Sequence, residues 1–387
     1  MNAPAFVDAL LAFIDSGGCT DDQFDAIAGR VFAHQYANDG PYRRFCQGRG
    51  ITPRKVGGWR DLPAVPITAF KETTLSVAPI DLCERVFMTS GTTRADSRGK
   101  HHHPTLAVYD RSMIRSFASR FMGDDQRLPM AILFPDEQAM PNSSLAHYLS
   151  LAVKNFGTGE SRHFVGVDGA DIDGFRSWLN DVRSRGQPCA VLGASYGFVH
   201  MIDAFAARSE HGERGERFPL PPGSRVLDTG GYKRQSRELP LDAFYDAVSN
   251  TFDVPRERCI NMYGMTELST QFYDDGNATL PSVKSGLHWI RSRAIDPMTG
   301  RDVPFGERGV LVHCDVANFN STTTILTEDV GRMVDGGFEF LGRVEGAAAK
   351  GCSLAVEAFL DAARGFDPRV AMHPADERIA ADRDSGR

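Results

Sequence analysis

In the stretch Val86-Phe-Met-Thr-Ser-Gly-Thr-Thr93, a short apolar run passes directly into small hydroxyl residues around one glycine. The apolar part suits a buried strand. The part from Thr89 through Ser90, Gly91, Thr92 and Thr93 can surround a phosphate with backbone N–H groups and hydroxyls, because no bulky side chain intrudes. The spacing is not that of a G-x-x-x-x-G-K-[ST] loop, which excludes a Walker-type NTPase. Taken alone, the stretch could equally be a polar turn between a strand and a helix.

Basic side chains follow this loop at positions where they could neutralise phosphate charge. They are Arg94, Arg98 and Lys100, and the run His101-His-His103 comes next. Three adjacent histidines do not converge easily on one ion, and no partner Cys/His spacing accompanies them. We therefore expect a polar loop or the start of a strand here, with one histidine facing a nucleotide or a carboxylate, and no structural zinc site.

Two later segments follow short apolar runs and carry groups that could bind a base. Thr229-Gly-Gly-Tyr-Lys233 is typical of a strand end that opens into a turn, and Gly230 and Gly231 would let the backbone approach a flat base closely. In Tyr263-Gly-Met-Thr-Glu267 the tyrosine ring can stack on adenine, and Glu267 can bind the Mg²⁺ that accompanies ATP. Tyrosine and glutamate at a strand-to-loop boundary are also common surface residues.

A fourth segment could bind the sugar. In Thr327-Glu-Asp-Val-Gly-Arg332 the carboxylate of Asp329 can accept both ribose hydroxyls, as acidic residues do in dinucleotide folds. Arg343 follows a glycine and can contact ribose or a phosphate bidentately. Either residue could instead be a surface ion-pair partner. The order of these segments along the chain indicates a nucleotide site more strongly than any one of them.

The hydrophobic pattern predicts an α/β fold. Helices are expected at 5–15, 20–36 and 41–47, followed by a proline-rich extended crossing at 61–70. Apolar runs at 130–134 and 189–193 suit buried parallel strands, and 243–252 suits a connecting helix. Runs at 309–314 and 337–342 predict a smaller β-rich subdomain. We expect an N-terminal helical segment over 1–85, an ATP-binding core over 86–341 and a short remnant over 342–387, whose charged end from Ala375 is expected to be disordered.

Composition narrows the function class. The net charge of -7 argues against nucleic acid as the main partner. No apolar run approaches the roughly 20 residues that span a bilayer, and the N-terminus is predicted to be an amphipathic helix rather than a signal peptide. Seven cysteines without a C-x-x-C pair fit reduced thiols in a cytoplasmic protein.

One cysteine is a candidate nucleophile. Cys352 lies between Gly351 and Ser353, two residues after Lys350, and a helix is expected to start at Leu354. An exposed thiol near a lysine and a helix N-terminus would have a lowered pKa. Most free cysteines are instead small buried hydrophobic residues, and Cys189 and Cys314 fit that description.

Taken together, these segments resemble the adenylate-forming enzymes, and specifically the LuxE-type acyl-protein synthetases; the likeness to the phenylacetate–CoA ligase branch is more distant. The resemblance rests on the four segments above together with 65–71, 98–101, Gly342-Arg343 and 351–354, which follow the family's order over almost the whole chain. It implies the large-domain architecture of adenylate-forming enzymes with a truncated C-terminal domain.

The resemblance also implies a reaction. ATP and Mg²⁺ would bind at the first loop and Glu267, adenine near Gly230, Gly231 and Tyr263, and ribose at Asp329. A carboxylic acid, expected to be a fatty acid, would become an acyl-adenylate, and the acyl group would pass to a thiol. In LuxE-type proteins this thiol can be a cysteine near the C-terminus, which here would be Cys352, before delivery to a partner such as a reductase or carrier protein.

The chain departs from the family pattern at two places. Arg94 replaces the glycine that usually follows the hydroxyl loop, and the acidic hinge and catalytic lysine domain of the wider superfamily are missing from the pattern. Lys100, Lys233 and Lys350 are the candidates for that lysine. The alternatives are a ligase that acylates coenzyme A or a carrier protein, and a nucleotide-binding homologue without enzyme activity.

Overall fold

The computed structural model describes residues 3–90, 98–166, 168–207, 216–231 and 236–364. Gly91, Thr92, Thr93 and Arg94 of the phosphate-binding prediction lie outside these ranges, as do Lys233 and the charged segment from Ala375. None of the helices within the described ranges combines the length and the apolar character that crossing a bilayer requires.

Amphipathic patterns and N-caps define the helices. Thr20 caps α2 with a capping box, and the side chains of Ser143 and Asp171 each accept a backbone N–H from the first turn of α6 and α7. The α-helices of the described residues are α1 (Ala3–Asp15), α2 (Asp21–Asn38), α3 (Gly40–Gly48), α4 (Ala69–Glu72), α5 (Ala107–Phe117), α6 (Ser144–Phe156), α7 (Ile172–Arg185), α8 (Ser195–Ala207), α9 (Leu241–Phe252) and α10 (Gly346–Arg364).

The strands belong to two main sheets and two short pairs. In chain order they are β1 (Val65–Pro66), β2 (Arg85–Met88), β3 (Lys100–His103), β4 (Met130–Leu133), β5 (Arg162–His163), β6 (Val165–Gly166), β7 (Gly169–Ala170), β8 (Ala190–Ala194), β9 (Arg225–Thr229), β10 (Cys259–Tyr263), β11 (Phe272–Tyr273), β12 (Val283–Lys284), β13 (Ile290–Ile295), β14 (Arg308–Asp315), β15 (Thr324–Val334) and β16 (Gly337–Arg343).

The first sheet has the order β11-β10-β9-β8-β4-β5. Its strands are parallel except for β11, which pairs antiparallel with β10. Alternate side chains enter two separate cores, one with α5 and α6 and the other with α7, α8 and α9. Strands covered on both faces read as continuous apolar runs, which is why the buried strands predicted at 130–134 and 189–193 are confirmed as β4 and β8.

The second sheet is antiparallel, with the order β12-β16-β15-β14-β13, and β1 adds to β15 in parallel. One face of it shares a hydrophobic core with α1, α2 and α3, in which Phe24, Phe32 and Tyr42 pack with Trp289 and Ile325. The three predicted N-terminal helices, the helix predicted at 243–252 and the strands predicted at 309–314 and 337–342 are all present, within about three residues of their predicted ends.

Candidate active site

A cleft of about 720 Å³ lies where the carboxyl ends of β9 and β10 meet β15 and β16. Ligands of open α/β sheets bind at this edge because the loops that leave the strands diverge there. The helices α4, α5 and α6 contribute the remaining walls. Nine of the residues that the sequence analysis selected line the cleft: Thr89, Ser90, Gly230, Gly231, Tyr263, Thr266, Glu267, Asp329 and Arg343.

The ends of β9 and β10 form a slot with one wall of glycine backbone and one aromatic wall. Gly231 has a φ of 96°, a conformation that residues with a Cβ rarely adopt, so the chain turns sharply after β9. At the end of β10, the Tyr263 ring packs against Phe340 at 5.9 Å between centroids, and both rings line the cleft. Asn261 lies two residues earlier and donates from Nδ2 to Asp228 Oδ2 at 3.0 Å.

Tyr263, Asp329 and Arg343 form one connected cluster. Asp329 on β15 lies directly opposite Arg343 on β16, and Arg343 Nε is 2.9 Å from Asp329 Oδ1. Tyr263 donates from its hydroxyl to Asp329 Oδ2 at 2.6 Å. Gly342, with a φ of 123°, adjoins the β-bulge between β15 and β16 that comes just before Arg343. Burial raises the pKa of Asp329, while Arg343 and Tyr263 act in the opposite direction.

Glu267 is buried at the centre of the cleft and is only 3% exposed. Burial raises its pKa to about 7, although Lys71 and Arg343 favour the charged form. A Cβ placed on Gly99 would lie 3.2 Å from Glu267 Oε1, so the β2–β3 hairpin passes close to this carboxylate. The result is a carboxyl group that can change its protonation state near neutral pH.

Thr89 and Ser90 leave β2 at the edge of the cleft. Thr89 donates its backbone N–H to the Gly99 carbonyl at 3.0 Å, and the Gly99 N–H donates back to Thr89 Oγ1 at 3.0 Å. This exchange closes the hairpin on either side of residues 91–97, which lie outside the described part of the chain. The start of the predicted phosphate loop therefore lies at the cleft.

Lys100 does not line the cleft within the described residues, whereas Lys71 does. Successive residues of a strand face opposite sides, so Lys100 and His102 lie on one face of β3 and Gly99 and His101 on the other. His101 Nδ1 is 2.8 Å from the Thr266 carbonyl, and burial lowers the pKa of His101 to about 4. The described residues contain no group of three potential metal-ligating side chains among His, Cys, Asp and Glu.

The expected environment of Cys352 is wrong. The helix begins at Gly346 rather than Leu354, so Cys352 lies in its second turn and not at its N-terminus. The side chain is 5% exposed and packs with Val310, Val312 and Leu326. Burial raises the pKa of the Cys352 thiol, and the nearby carboxylate of Glu328 raises it further. Gly351, just before Cys352, lies where a larger residue would be crowded, because a Cβ there would be 3.0 Å from Pro297 Cβ.

Among the cleft residues that the sequence analysis did not select are three with polar or charged side chains: Lys71, Asn261 and Lys284. Lys71 is the last residue of segment 65–71, and Asn261 lies two residues before the quoted Tyr263 on the same strand, where a side chain facing the same side as Tyr263 could have been expected. Lys284 carries no such signal, because its two-residue strand has no detectable period.

Comparisons with known proteins identify relatives of this chain. The family model described as "Acyl-protein synthetase, LuxE" matches residues 20–360. A long-chain-fatty-acid–luciferin-component ligase of Vibrio harveyi is 25% identical over 344 residues, covering 84% of this chain and 85% of that protein. A ligase of the same name from Aliivibrio fischeri is 23% identical over 353 residues, covering 86% and 87%.

Among solved structures, an open conformation of 2-hydroxyisobutyryl-CoA ligase in complex with 2-HIB-AMP and CoA has a TM-score of 0.62 at 14% identity. It covers 84% of this chain and 69% of that one. The same ligase in its postadenylation state has a TM-score of 0.61 at 16% identity, covering 84% and 68%. This similarity establishes the fold of an adenylate-forming enzyme. Together with the family match, it means that the chain belongs to the LuxE family of acyl-protein synthetases, which are ligases.

Proposed function

We propose that the protein uses ATP to activate a fatty acid as acyl-AMP and then transfers the acyl group to the thiol of Cys352, for delivery to a partner protein. The observation that carries this proposal is the convergence of Tyr263, Asp329, Arg343 and Glu267 in one cleft. The relatives named as long-chain-fatty-acid ligases support the substrate class.

Each part of a nucleotide has a partner of suitable chemistry in this cleft. The base would lie between the turn at Gly230-Gly231 and the ring of Tyr263, where an aromatic face is available for stacking. Asp329 would accept the ribose hydroxyls, because Tyr263 and Arg343 hold its carboxylate in place. Lys71 and the hydroxyls of Thr89 and Ser90 would face the phosphates.

The residues also fit the Mg²⁺ that accompanies ATP. Magnesium usually binds one or two protein carboxylates together with substrate phosphates and water. Glu267 offers a carboxylate of this kind, and in the described residues no closed cage of protein ligands competes with it. Bound Mg²⁺ would neutralise charge that develops on the phosphates. Glu267 would have to be ionised to hold the ion, so its raised pKa links binding to pH.

The proposed chemistry has two steps. A carboxylate oxygen of the acid attacks the α-phosphorus of ATP, a new O–P bond forms, and the bond to the β-phosphate oxygen breaks to release pyrophosphate. The deprotonated sulfur of Cys352 then attacks the acyl carbon, a C–S bond forms, and AMP leaves with the electron pair of the broken C–O bond. The thiol proton passes to solvent or to a base at the cleft.

The position of Cys352 favours a second candidate for the acceptor. A thiol that is 5% exposed and has a raised pKa is a poor nucleophile in this arrangement. Transfer to Cys352 therefore requires α10 to shift and expose the sulfur. If it does not shift, the thiol of coenzyme A or of a carrier protein would take the acyl group directly.

The test is acid-dependent ATP–pyrophosphate exchange over a panel of fatty and aromatic acids, with wild type, Cys352→Ser and the control Cys83→Ser. We expect exchange in all three proteins and hydroxylamine-sensitive acyl labelling that only Cys352→Ser loses. Labelling retained in Cys352→Ser would exclude this cysteine, and saturable acyl-CoA formation would then select the second candidate. Absence of exchange with every acid would contradict the proposed function.

A further inference from the structure

His101 is a fully buried histidine for which the proposed function gives no role. Its exposed fraction is 0%, and both of its ring nitrogens have partners. Nδ1 is 2.8 Å from the Thr266 carbonyl oxygen, and Nε2 is 2.9 Å from Asn320 Nδ2 and 3.1 Å from Ser321 Oγ. Thr266 lines the cleft next to Glu267, so the ring of His101 contacts the wall of the cleft.

The hydrogen-bond partners fix the protonation of this ring. A carbonyl oxygen only accepts, so Nδ1 carries the proton that it donates to Thr266. Asn320 donates from Nδ2 to the His102 carbonyl at 2.6 Å, which fixes the orientation of the amide and makes Nδ2 a donor to Nε2 as well. His101 is therefore a neutral ring with its proton on Nδ1, and burial lowers its pKa accordingly. The ring cannot rotate without breaking hydrogen bonds on both sides.

His101 joins the turn of Glu267 to the hairpin that carries Thr89. Gly99, two residues before His101, exchanges two hydrogen bonds with Thr89, and a Cβ on Gly99 would lie 3.2 Å from Glu267 Oε1. Because His101 binds Thr266 from the same segment, the spacing between the hairpin and the turn is fixed. The carboxylate of Glu267 and the hydroxyl of Thr89 are thus held in one arrangement.

The ring of His101 also contacts α4. Phe70 packs against it edge-on, at 5.8 Å between ring centroids, and the next residue is Lys71, which lines the cleft. Lys71 favours the charged form of Glu267. His101 therefore contacts or adjoins three segments that meet at the proposed phosphate end of the cleft.

A second buried side chain holds the same turn from the loop between β14 and β15. Asn318 donates from Nδ2 to the Glu267 carbonyl at 3.0 Å, and Gln35 donates to the Asn318 carbonyl at 2.8 Å. His101 and Asn318 thus bind two successive carbonyl groups, those of Thr266 and Glu267. With both peptide groups held in this way, Glu267 is ordered before any ligand binds, which lowers the cost of using it.

We propose that His101 is a positioning residue of the active site: by donating from Nδ1 to the Thr266 carbonyl, it holds Glu267 at a fixed place beside the β2–β3 hairpin. The inference rests on the proposed function for the use of Glu267 and this hairpin in binding Mg-ATP. His101 does not contact the ligand itself. It acts by sparing the ligand the cost of ordering the turn.

Two substitutions separate the hydrogen bond from the bulk of the ring. In His101→Asn the side-chain amide places an N–H close to the position of Nδ1, so the bond to Thr266 is kept. In His101→Leu the bond is lost, while an apolar side chain of similar volume fills the site. His102→Leu is the matched control, because the side chain of His102 lies on the opposite face of β3.

The first measurement is hydrogen–deuterium exchange by mass spectrometry without nucleotide, read from peptides that cover residues 264–270. Within this turn the Leu268 N–H donates to the Met265 carbonyl. Loss of one neutral hydrogen bond should speed amide exchange there by roughly threefold to tenfold in His101→Leu. His101→Asn and His102→Leu should stay within about twofold of wild type. Unchanged exchange in His101→Leu, or equally faster exchange in His101→Asn, would overturn the proposal.

The second measurement separates positioning from general stability. In acid-dependent ATP–pyrophosphate exchange, His101→Leu should raise the KM for Mg-ATP about threefold to tenfold and leave the KM for the acid within about twofold of wild type. A purely structural role would reduce the amount of active protein, and so lower kcat with both KM values unchanged. That pattern would also overturn the proposal.

The two measurements distinguish this proposal from the proposed function. Amide exchange needs neither nucleotide nor acid, so it decides whether the His101 hydrogen bond holds the turn even in a protein without adenylating activity. Absence of pyrophosphate exchange in wild type would contradict the proposed function instead.

Discussion

At the scale of single residues, the cleft places acidic groups under two opposing influences. Glu267 and Asp329 are both buried, which favours their protonated forms. Nearby cations favour the ionised forms instead: Lys71 and Arg343 act on Glu267, and Arg343 acts on Asp329. The balance differs because Asp329 makes a direct ion pair and accepts a tyrosine hydrogen bond. Glu267, with its pKa raised to about 7, accordingly changes its protonation near neutral pH.

Glu267→Gln should change how stability depends on pH. The pKa of Glu267 is about 7 in the folded protein and has an ordinary value of 4.5. Between these values the folded protein keeps a proton that the unfolded chain releases. The stabilising contribution of Glu267 to the free energy of unfolding is therefore complete below about pH 4.5 and is lost as the pH rises through about 7. Urea unfolding of wild type should show this loss, on the order of 3 kcal/mol, and Glu267→Gln should not.

The control for this comparison is the same pair of titrations with saturating Mg-ATP. Bound cation favours the carboxylate, so the wild-type decline between these pH values should shrink, while Glu267→Gln should respond little. Parallel pH profiles for the two proteins without ligand would contradict the assigned pKa.

A second prediction at this scale concerns the hydroxyl of Tyr263. Tyr263→Phe removes the 2.6 Å hydrogen bond to Asp329 and leaves that carboxylate with Arg343 alone. We expect a loss of about 1 kcal/mol in unfolding free energy and a several-fold higher KM for ATP with little change in kcat. Tyr36→Phe, on α2, is the control. An unchanged KM would mean that the hydroxyl does not help to position Asp329.

At the scale of elements, α10 is the part of the structure that differs most from the prediction. The run from Gly346 to Ser353 contains two glycines, which the pattern rules treat as interruptions, yet the helix begins at Gly346 and continues through Gly351. Tertiary contacts decide this: Phe359 packs on Phe45 at 4.7 Å, and Arg44 donates to the Ala363 carbonyl at 2.5 Å. Local propensity could not reveal contacts with residues about 300 positions earlier.

Gly351→Ala should weaken the packing of α10 against Pro297. A Cβ at Gly351 would lie 3.0 Å from Pro297 Cβ and 3.1 Å from the Pro297 carbonyl carbon, so α10 and Pro297 would have to move slightly apart. We expect about 1–2 kcal/mol of destabilisation and faster modification of Cys352 by a thiol reagent. Gly48→Ala is the control, since its Cβ would make an ordinary contact with Ala362 at 3.7 Å. Equal rates of Cys352 modification in both variants would exclude this contact as the constraint.

At the scale of the whole molecule, the cleft forms where the two main sheets meet. The sequence could predict the strands of each sheet, because burial on both faces or on one face leaves a readable pattern. It also located Tyr263, Asp329 and Arg343, whose motifs follow apolar runs. It could not predict that β12 would join the sheets, since two residues carry no period, and so Lys284 was missed. The domain boundaries at 85 and 341 stay a prediction.

A ligand that contacts both sheets should stabilise the molecule as one unit. With Mg-ATP at about 100 times its dissociation constant, we expect unfolding free energy to rise by about 2.7 kcal/mol and the melting transition to shift upwards. Asp329→Ala should lose most of the shift at the same concentration. Differential scanning calorimetry checks this, and an equal shift in both proteins would place the nucleotide away from β15.

The pairing of β1 with β15 has a consequence for how this protein can diverge. β15 carries Asp329, and through its contact with Val65 and Pro66 it also fixes the segment that leads to Lys71. Strand β15 thus fixes the distance between Asp329, at the sugar end of the proposed nucleotide site, and Lys71, at its phosphate end. Substitutions along it can be absorbed by repacking, but losing or gaining a single residue between Leu326 and Asp329 would turn the carboxylate to the opposite face. Related proteins should therefore differ in β15 by substitutions far more often than by insertions or deletions.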